Sequence, residues 1–126
     1  MSAPNLTGQA PQLEPSKLSE LITGFASDVK AIDIVELDLH GVLGYADYFI
    51  VATGGTDRQV KAIHDRIHEG MKKEHGQLPR RVEGVSEARW ILMDYWDVIV
   101  HIFTADAREF YRLEQLWGEA PKRTIE

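Results

Sequence analysis

The 126-residue chain contains no cysteine. That excludes a disulfide scaffold, a thiol nucleophile and a cysteine-ligated zinc site, and it fits a reducing compartment. No apolar run approaches the ~18 residues of a membrane-crossing helix, so no membrane partner is expected. Positive charge is scarce: fourteen Lys and Arg face twenty Asp and Glu, for a formal net charge of −6. A phosphate backbone would meet net repulsion, which leaves little room for direct nucleic-acid binding and favours a basic or neutral partner surface. No basic residue precedes Lys17, and the opening MSAPNLTGQAPQLEP has neither the charged nor the apolar part of a secretory signal or transit peptide. The expected compartment is the cytoplasm.

What is present is ordinary for one soluble domain: 44% hydrophobic and 27% charged residues in a chain long enough to bury a core without staples. Three of the five prolines fall in residues 1–15, which read as a disordered tail. The domain is expected over 16–117, and 118–126 reads as a C-terminal tail. Leu18, Leu21, Ile22, Phe25, Val29 and Ile32 recur at helical spacing, with Ser16 as N-cap. From Ile34 to Leu39 apolar and acidic residues alternate, which predicts a strand with one wet face carrying Glu36 and Asp38. Tyr48 to Thr53 is apolar on both faces and predicts a buried strand. Thr56 with Gln59 three residues later predicts a helix start, and Gly76 its end near His75. A short strand around Arg81–Glu83 is expected. Trp90–Asp94 and Asp97–Phe103, joined through Tyr95-Trp96, must run antiparallel because so short a link allows nothing else. A last helix is expected from Asp106, capped with Glu109, with Phe110, Leu113, Leu116 and Trp117 inward. The order α-β-β-α-(β)-β-β-α describes a single α/β (α+β) domain: a mixed sheet flanked by three helices.

Several residues invite a chemical reading. His64 and His68 stand four apart on one helix, with His75 near the same angular position, a spacing that can share a metal ion. The segment between them, Asp-Arg-Ile, lacks the glutamate of a zinc protease, and no third ligand is marked. Glu36 and Asp38 share a strand face and could hold magnesium in a nucleotide-transferring site, against the simpler reading of a solvated face. Gly54-Gly55-Thr56 turns from strand to helix where phosphate can bind. It has no Walker lysine, however, and Asp57 would repel an anion in the first turn. His101 lies in the apolar run VIVHIF with no nucleophile to activate, and reads as a core or boundary residue. No catalytic set, metal site or cofactor is expected.

The strongest pattern is the sheet itself. WILM, FIVA and VIVHIF are apolar on both faces, so the sheet needs cover on both sides, yet only three helices are available. Part of one face, or an edge, is then expected to stay open for a partner. Trp90 and Leu92 share a strand face beside Asp94, Tyr95 and Asp97, the composition of a protein-binding hot spot. A sheet of this kind is equally suited to pairing with a second copy of the chain.

Together, ADYFIVATGGTDRQVKAI, VEG, RWILMDYWDVIVHIF and REFYRLEQLW resemble the ribosomal silencing factor family, also called Iojap-like, over residues 32–117. The resemblance implies a nucleotidyltransferase-like fold without enzymatic activity. It also implies binding to a large-subunit ribosomal protein, the fourteenth of that series, on the surface that meets the small subunit. Occupying that surface stops the subunits joining and lowers translation when nutrients are short. It places Trp90 in the binding surface; Leu92, Asp94, Tyr95 and Asp97 are added by proximity. The alternative is a magnesium-dependent nucleotide transferase. In such an enzyme the paired carboxylates follow the glycines, whereas here Glu36 and Asp38 precede Gly54-Gly55. The chain departs from the family pattern at Trp96, where a glycine usually stands in the hairpin turn. Glycine tolerates positive φ there; tryptophan must accept strain or take another conformation.

Overall fold

In the computed structural model, residues 13–42, 44, 46–116, 118 and 120–125 are described. The elements run α1 (Pro15–Asp28), β1 (Ile32–Asp38), β2 (Tyr48–Gly54), α2 (Asp57–His75), β3 (Arg81–Glu83), β4 (Trp90–Asp94), β5 (Val98–Thr104), α3 (Ala105–Tyr111), the single turn α4 (Leu113–Leu116) and β6 (Lys122–Thr124). One mixed sheet carries the strands in the order β3-β4-β5-β2-β1-β6. The β2–β5 pair is parallel, as the α2 crossover requires, and the other neighbours are antiparallel.

Local chemistry sets the ends of α2. The Thr56 hydroxyl accepts the Gln59 N–H at 3.1 Å, and Gly76 closes the helix in the left-handed region at φ 63°. Gly54 is required for packing: a Cβ there would lie 2.7 Å from the Val60 backbone nitrogen. Helix α1 begins two residues earlier than the serine suggests. Glu14 is its N-cap and Pro15 takes the first helical position, where a missing N–H costs nothing, so Ser16 lies inside the first turn. It ends at Asp28, well before Ile32, which enters β1 instead.

The two faces of the sheet are covered unequally. Helices α1 and α2 seal one side over Leu18, Ile22, Phe25, Ile34, Ile50, Val60, Ile63, Ile67, Ile91, Met93, Tyr95 and Val100. On the other side Val35, Leu37, Phe49, Val51, Ile99 and Phe103 gather beneath the seven-residue α3, through Ala107. Trp90, Leu92 and Leu113 sit at the margin of this second cluster and are only partly buried.

Four readings of the sequence change. The strand face carrying Glu36 is not wet. Glu36 is 8% exposed; it accepts from Ser19 Oγ and from Arg123, whose Nε and Nη2 stand 3.1 and 3.2 Å from its oxygens. The segment read as a C-terminal tail contributes β6, which pairs with β1 from Val35↔Thr124 to Leu37↔Lys122. The last helix is capped by Thr104 Oγ1, which accepts the Ala107 N–H at 3.3 Å, rather than by Asp106, and it breaks at Arg112, where φ is 48°. Phe110, expected inward, is 78% exposed. The inward placement of Leu116 and Trp117 and nearly all of the tail read at 1–15 lie outside the described residues and side chains.

Candidate functional site

Strand alternation puts Trp90, Leu92 and Asp94 on the thinly covered side, and Ile91, Met93 and Tyr95 under α1 and α2. Trp90 is the centre of an aromatic group. Its ring lies 5.1 Å from Phe103, 4.5 Å from Tyr111 and 5.9 Å from His101. Phe110 meets Tyr111 edge-on at 5.0 Å, and Tyr111 is itself 47% exposed. The group thus runs from the buried Phe103, through the part-covered indole, to two aromatic rings in water. A cleft of about 240 Å³ lined by Gly84, Glu87, Arg89, Trp90, Ala107 and Tyr111 opens beside the indole. Leu92 stands opposite His101 in the ladder and extends the apolar surface along β4.

The expected footprint is partly redrawn. Tyr95 is 1% exposed and belongs to the opposite core, because it is an odd number of residues from Trp90 along the strand. Asp94 is also 1% exposed. It accepts from Arg80 Nε at 3.0 Å and from the Trp96 N–H at 2.8 Å, so it builds the turn rather than a surface. Asp97 keeps a part-exposed side chain, while its carbonyl accepts the Asp47 and Tyr48 N–H groups. Trp96 takes the glycine-like conformation, φ 69°, with Arg80 lying 5.9 Å from its ring centre. Phe110 and Tyr111, outside the expected footprint, join the aromatic group around Trp90. Helical periodicity places Phe110 inward, whereas α3 ends at Tyr111 and leaves both rings exposed.

The hydroxyl of Tyr95 is buried with no hydrogen-bond partner among the described residues, and burial raises its pKa. Tyr95→Phe removes that unmet group without changing the packed ring. We expect it to leave stability unchanged or raise it by up to about 1 kcal/mol, read as the midpoint of urea unfolding. A drop of that size would mean that the hydroxyl has a partner.

His101 is 4% exposed, and Trp90 Nε1 donates to its Nδ1 at 3.1 Å. Burial pushes its pKa down to about 4. The unfolded chain takes up this proton near pH 6.5 and the folded chain only near 4, so acid favours unfolding. Stability is full above pH 6.5 and declines as pH falls towards 4, by about 3 kcal/mol at most for the shift from 6.5 to about 4. Urea midpoints from pH 7 to 4 test this: His101→Phe should flatten that part of the decline, and an unchanged slope would contradict it.

The remaining candidates do not assemble into chemical sites. Glu36 is occupied by Arg123 and Ser19, and Ile32↔Thr53 pairing puts the Gly54 turn at the far end of β1, about four residues or 13 Å away. Thr56 caps the helix at that turn and Asp57 sits in its first turn, the features of a structural start. His64 and His68 have ring centres 5.8 Å apart, with His64 Nδ1 2.9 Å from its neighbour Asp65. His75 instead packs towards Phe25, and among the described residues no third ligand joins the pair. A groove of about 690 Å³ below α3 is crossed by Arg108, which donates to Asp33 O, Thr53 Oγ1 and Glu114 Oε1 at 2.6 to 2.8 Å. No helix among the described residues is long and apolar enough to cross a membrane.

Comparison with known proteins gives one answer. The family model described as "Ribosomal silencing factor during starvation" matches residues 12–126. The chain is 39% identical over 109 residues to the ribosomal silencing factor of Bacillus subtilis, covering 86% of this chain and 92% of that one. It is 36% identical over 95 residues to the chloroplastic Iojap protein of Arabidopsis thaliana, covering 75% of this chain and 39% of that longer one. A crystal structure from Chromobacterium violaceum superposes with a TM-score of 0.81 at 35% identity, covering 84% of this chain and 88% of that one. One from Bacillus halodurans superposes at 0.75 and 34%, covering 88% and 98%. The matched length and the shared fold place this chain in the ribosomal silencing factor family, to which it belongs.

Proposed function

We propose that this protein docks through the β4 face onto a basic protein of the large ribosomal subunit, the fourteenth of its series. Its bulk then occupies the intersubunit surface and keeps the small subunit from joining, which lowers translation when nutrients are scarce. The work is done in the cytoplasm and requires no catalysis, metal or cofactor. The observation that carries this reading is the run of partly and fully exposed apolar side chains, Leu92, Trp90, Tyr111 and Phe110, on one side of the sheet. Aromatic anchors of this kind supply most of the energy of a protein interface when a partner removes them from water. The net charge of −6 steers the chain towards a basic partner and away from bare ribosomal RNA. Steric blocking asks for nothing more than a rigid domain and one patch.

The test is subunit joining followed by light scattering. Saturating protein, incubated with large subunits before small subunits are added, should suppress the scattering increase. Joining at the normal rate and extent would sink the proposal. Two copies of the chain paired through the same face would compete with docking, so the inhibition should weaken wherever sedimentation shows a dimer.

A further inference from the structure

The Trp90 indole is held by rings on its faces and by a single hydrogen bond at its nitrogen, 3.1 Å from His101 Nδ1. We infer that His101 is a positioning residue of the docking face: it accepts the indole N–H and fixes the orientation in which Trp90 meets the partner. This rests on the reading of β4 as the docking surface.

Three features support it. First, His101 lies beneath both part-exposed members of the patch, hydrogen-bonded to Trp90 and directly opposite Leu92 in the ladder. Second, its other nitrogen, Nε2, is buried and has no partner among the described residues, so the bond to Trp90 is the polar contact this side chain makes there. A phenylalanine would fill much of the same space, between Phe49 at 4.6 Å and Phe103 at 6.2 Å, without that orphaned nitrogen. What histidine adds is an acceptor. Third, burial holds the ring neutral at physiological pH, which keeps Nδ1 free to accept. An indole set in place before docking loses less freedom on binding, an advantage of about threefold to tenfold in affinity for one side chain.

The test uses the full chain with His101→Phe and His101→Asn. Asparagine places its Oδ1 close to the position of Nδ1 and so offers the acceptor again. In His101→Phe the Trp90 indole N–H resonance, assigned with Trp90→Phe, should move while that of Trp96 stays. Affinity for isolated large subunits should fall about threefold to tenfold, and His101→Asn should recover part of both. An unmoved indole resonance, or a moved resonance with unchanged affinity, overturns the inference. If Trp90→Arg also binds normally, the docking reading itself has failed, and this inference with it. If His101→Phe does not fold, the tautomer in the unaltered protein decides: a proton on Nε2 and none on Nδ1 is required, and the reverse overturns the proposal.

Discussion

Trp90→Arg is expected to abolish binding to the large subunit while leaving the fold in place. The indole is partly covered, in contact with Phe103 and Tyr111 but open to the cleft beside Gly84 and Ala107. An arginine there can direct its head group to water, so the circular dichroism spectrum should be retained. On the docked protein the same head group would be buried against a basic partner, with the aromatic anchor gone. Loss of a central anchor costs about 2–4 kcal/mol, and a buried like charge adds to that, so co-sedimentation should weaken at least about thirtyfold. Trp90→Ala should fall in the same direction but less far, and Tyr111→Ala less again, since that ring lies at the exposed margin. Unchanged co-sedimentation of a folded Trp90→Arg would remove β4 from the interface.

Gly84→Ala is expected to be the most destabilising single methyl in the chain's second half. Gly84 has φ 86°, and a Cβ built on it would stand 2.1 Å from the Trp90 carbonyl oxygen and 3.2 Å from its carbonyl carbon. Those are backbone atoms, which cannot rotate away as a side chain can. Left-handed strain costs about 1–2 kcal/mol and the clash about 1–3 more, for a total of about 2–5 kcal/mol read from urea unfolding. The displacement falls on the first residue of β4, so ribosome binding should drop in any population that stays folded. Wild-type stability in Gly84→Ala would show that the β3–β4 connection relaxes freely, contrary to the close approach described above. The glycine of the VEG motif thus belongs to the same structural unit as the tryptophan it touches.

How much of this could be read beforehand depends on how local the determining chemistry is. Both ends of α2 were legible because Thr56, Gln59 and Gly76 lie within a turn of the boundaries they set. The antiparallel β4–β5 pair was legible because a short link forces it. Counting helices against two-faced strands suggests incomplete cover on one face; Phe49, Ile99 and Phe103 are nevertheless sealed there, and it is Trp90, Leu92 and Leu113 at the margin that stay partly open. What escaped depends on distant partners. Glu36 looks like a solvated carboxylate until Arg123, 87 residues away, closes over it. Strand β6 has no pattern of its own and exists because β1 offers an edge. Within the site, Trp90, Leu92 and Asp97 kept a share of surface, but Tyr95 was misplaced. Proximity along the chain says nothing of the face, which strand alternation decides, and Tyr95 stands on the opposite face from Trp90. Asp94 escaped because its pairing with Arg80 crosses from another segment.

Docking through Trp90 and Leu92 requires the partner to sit on the α3 side of the sheet and not on the side covered by α1 and α2. A photo-cross-linking residue placed at Leu92, and in a second preparation at the exposed Lys61 of α2, tests this on intact large subunits. The probe at Leu92 should join the chain to one basic ribosomal protein in high yield, and the probe at Lys61 should not. Cross-links from Lys61 with none from Leu92 would place the interface on the other side of the molecule and contradict docking through β4.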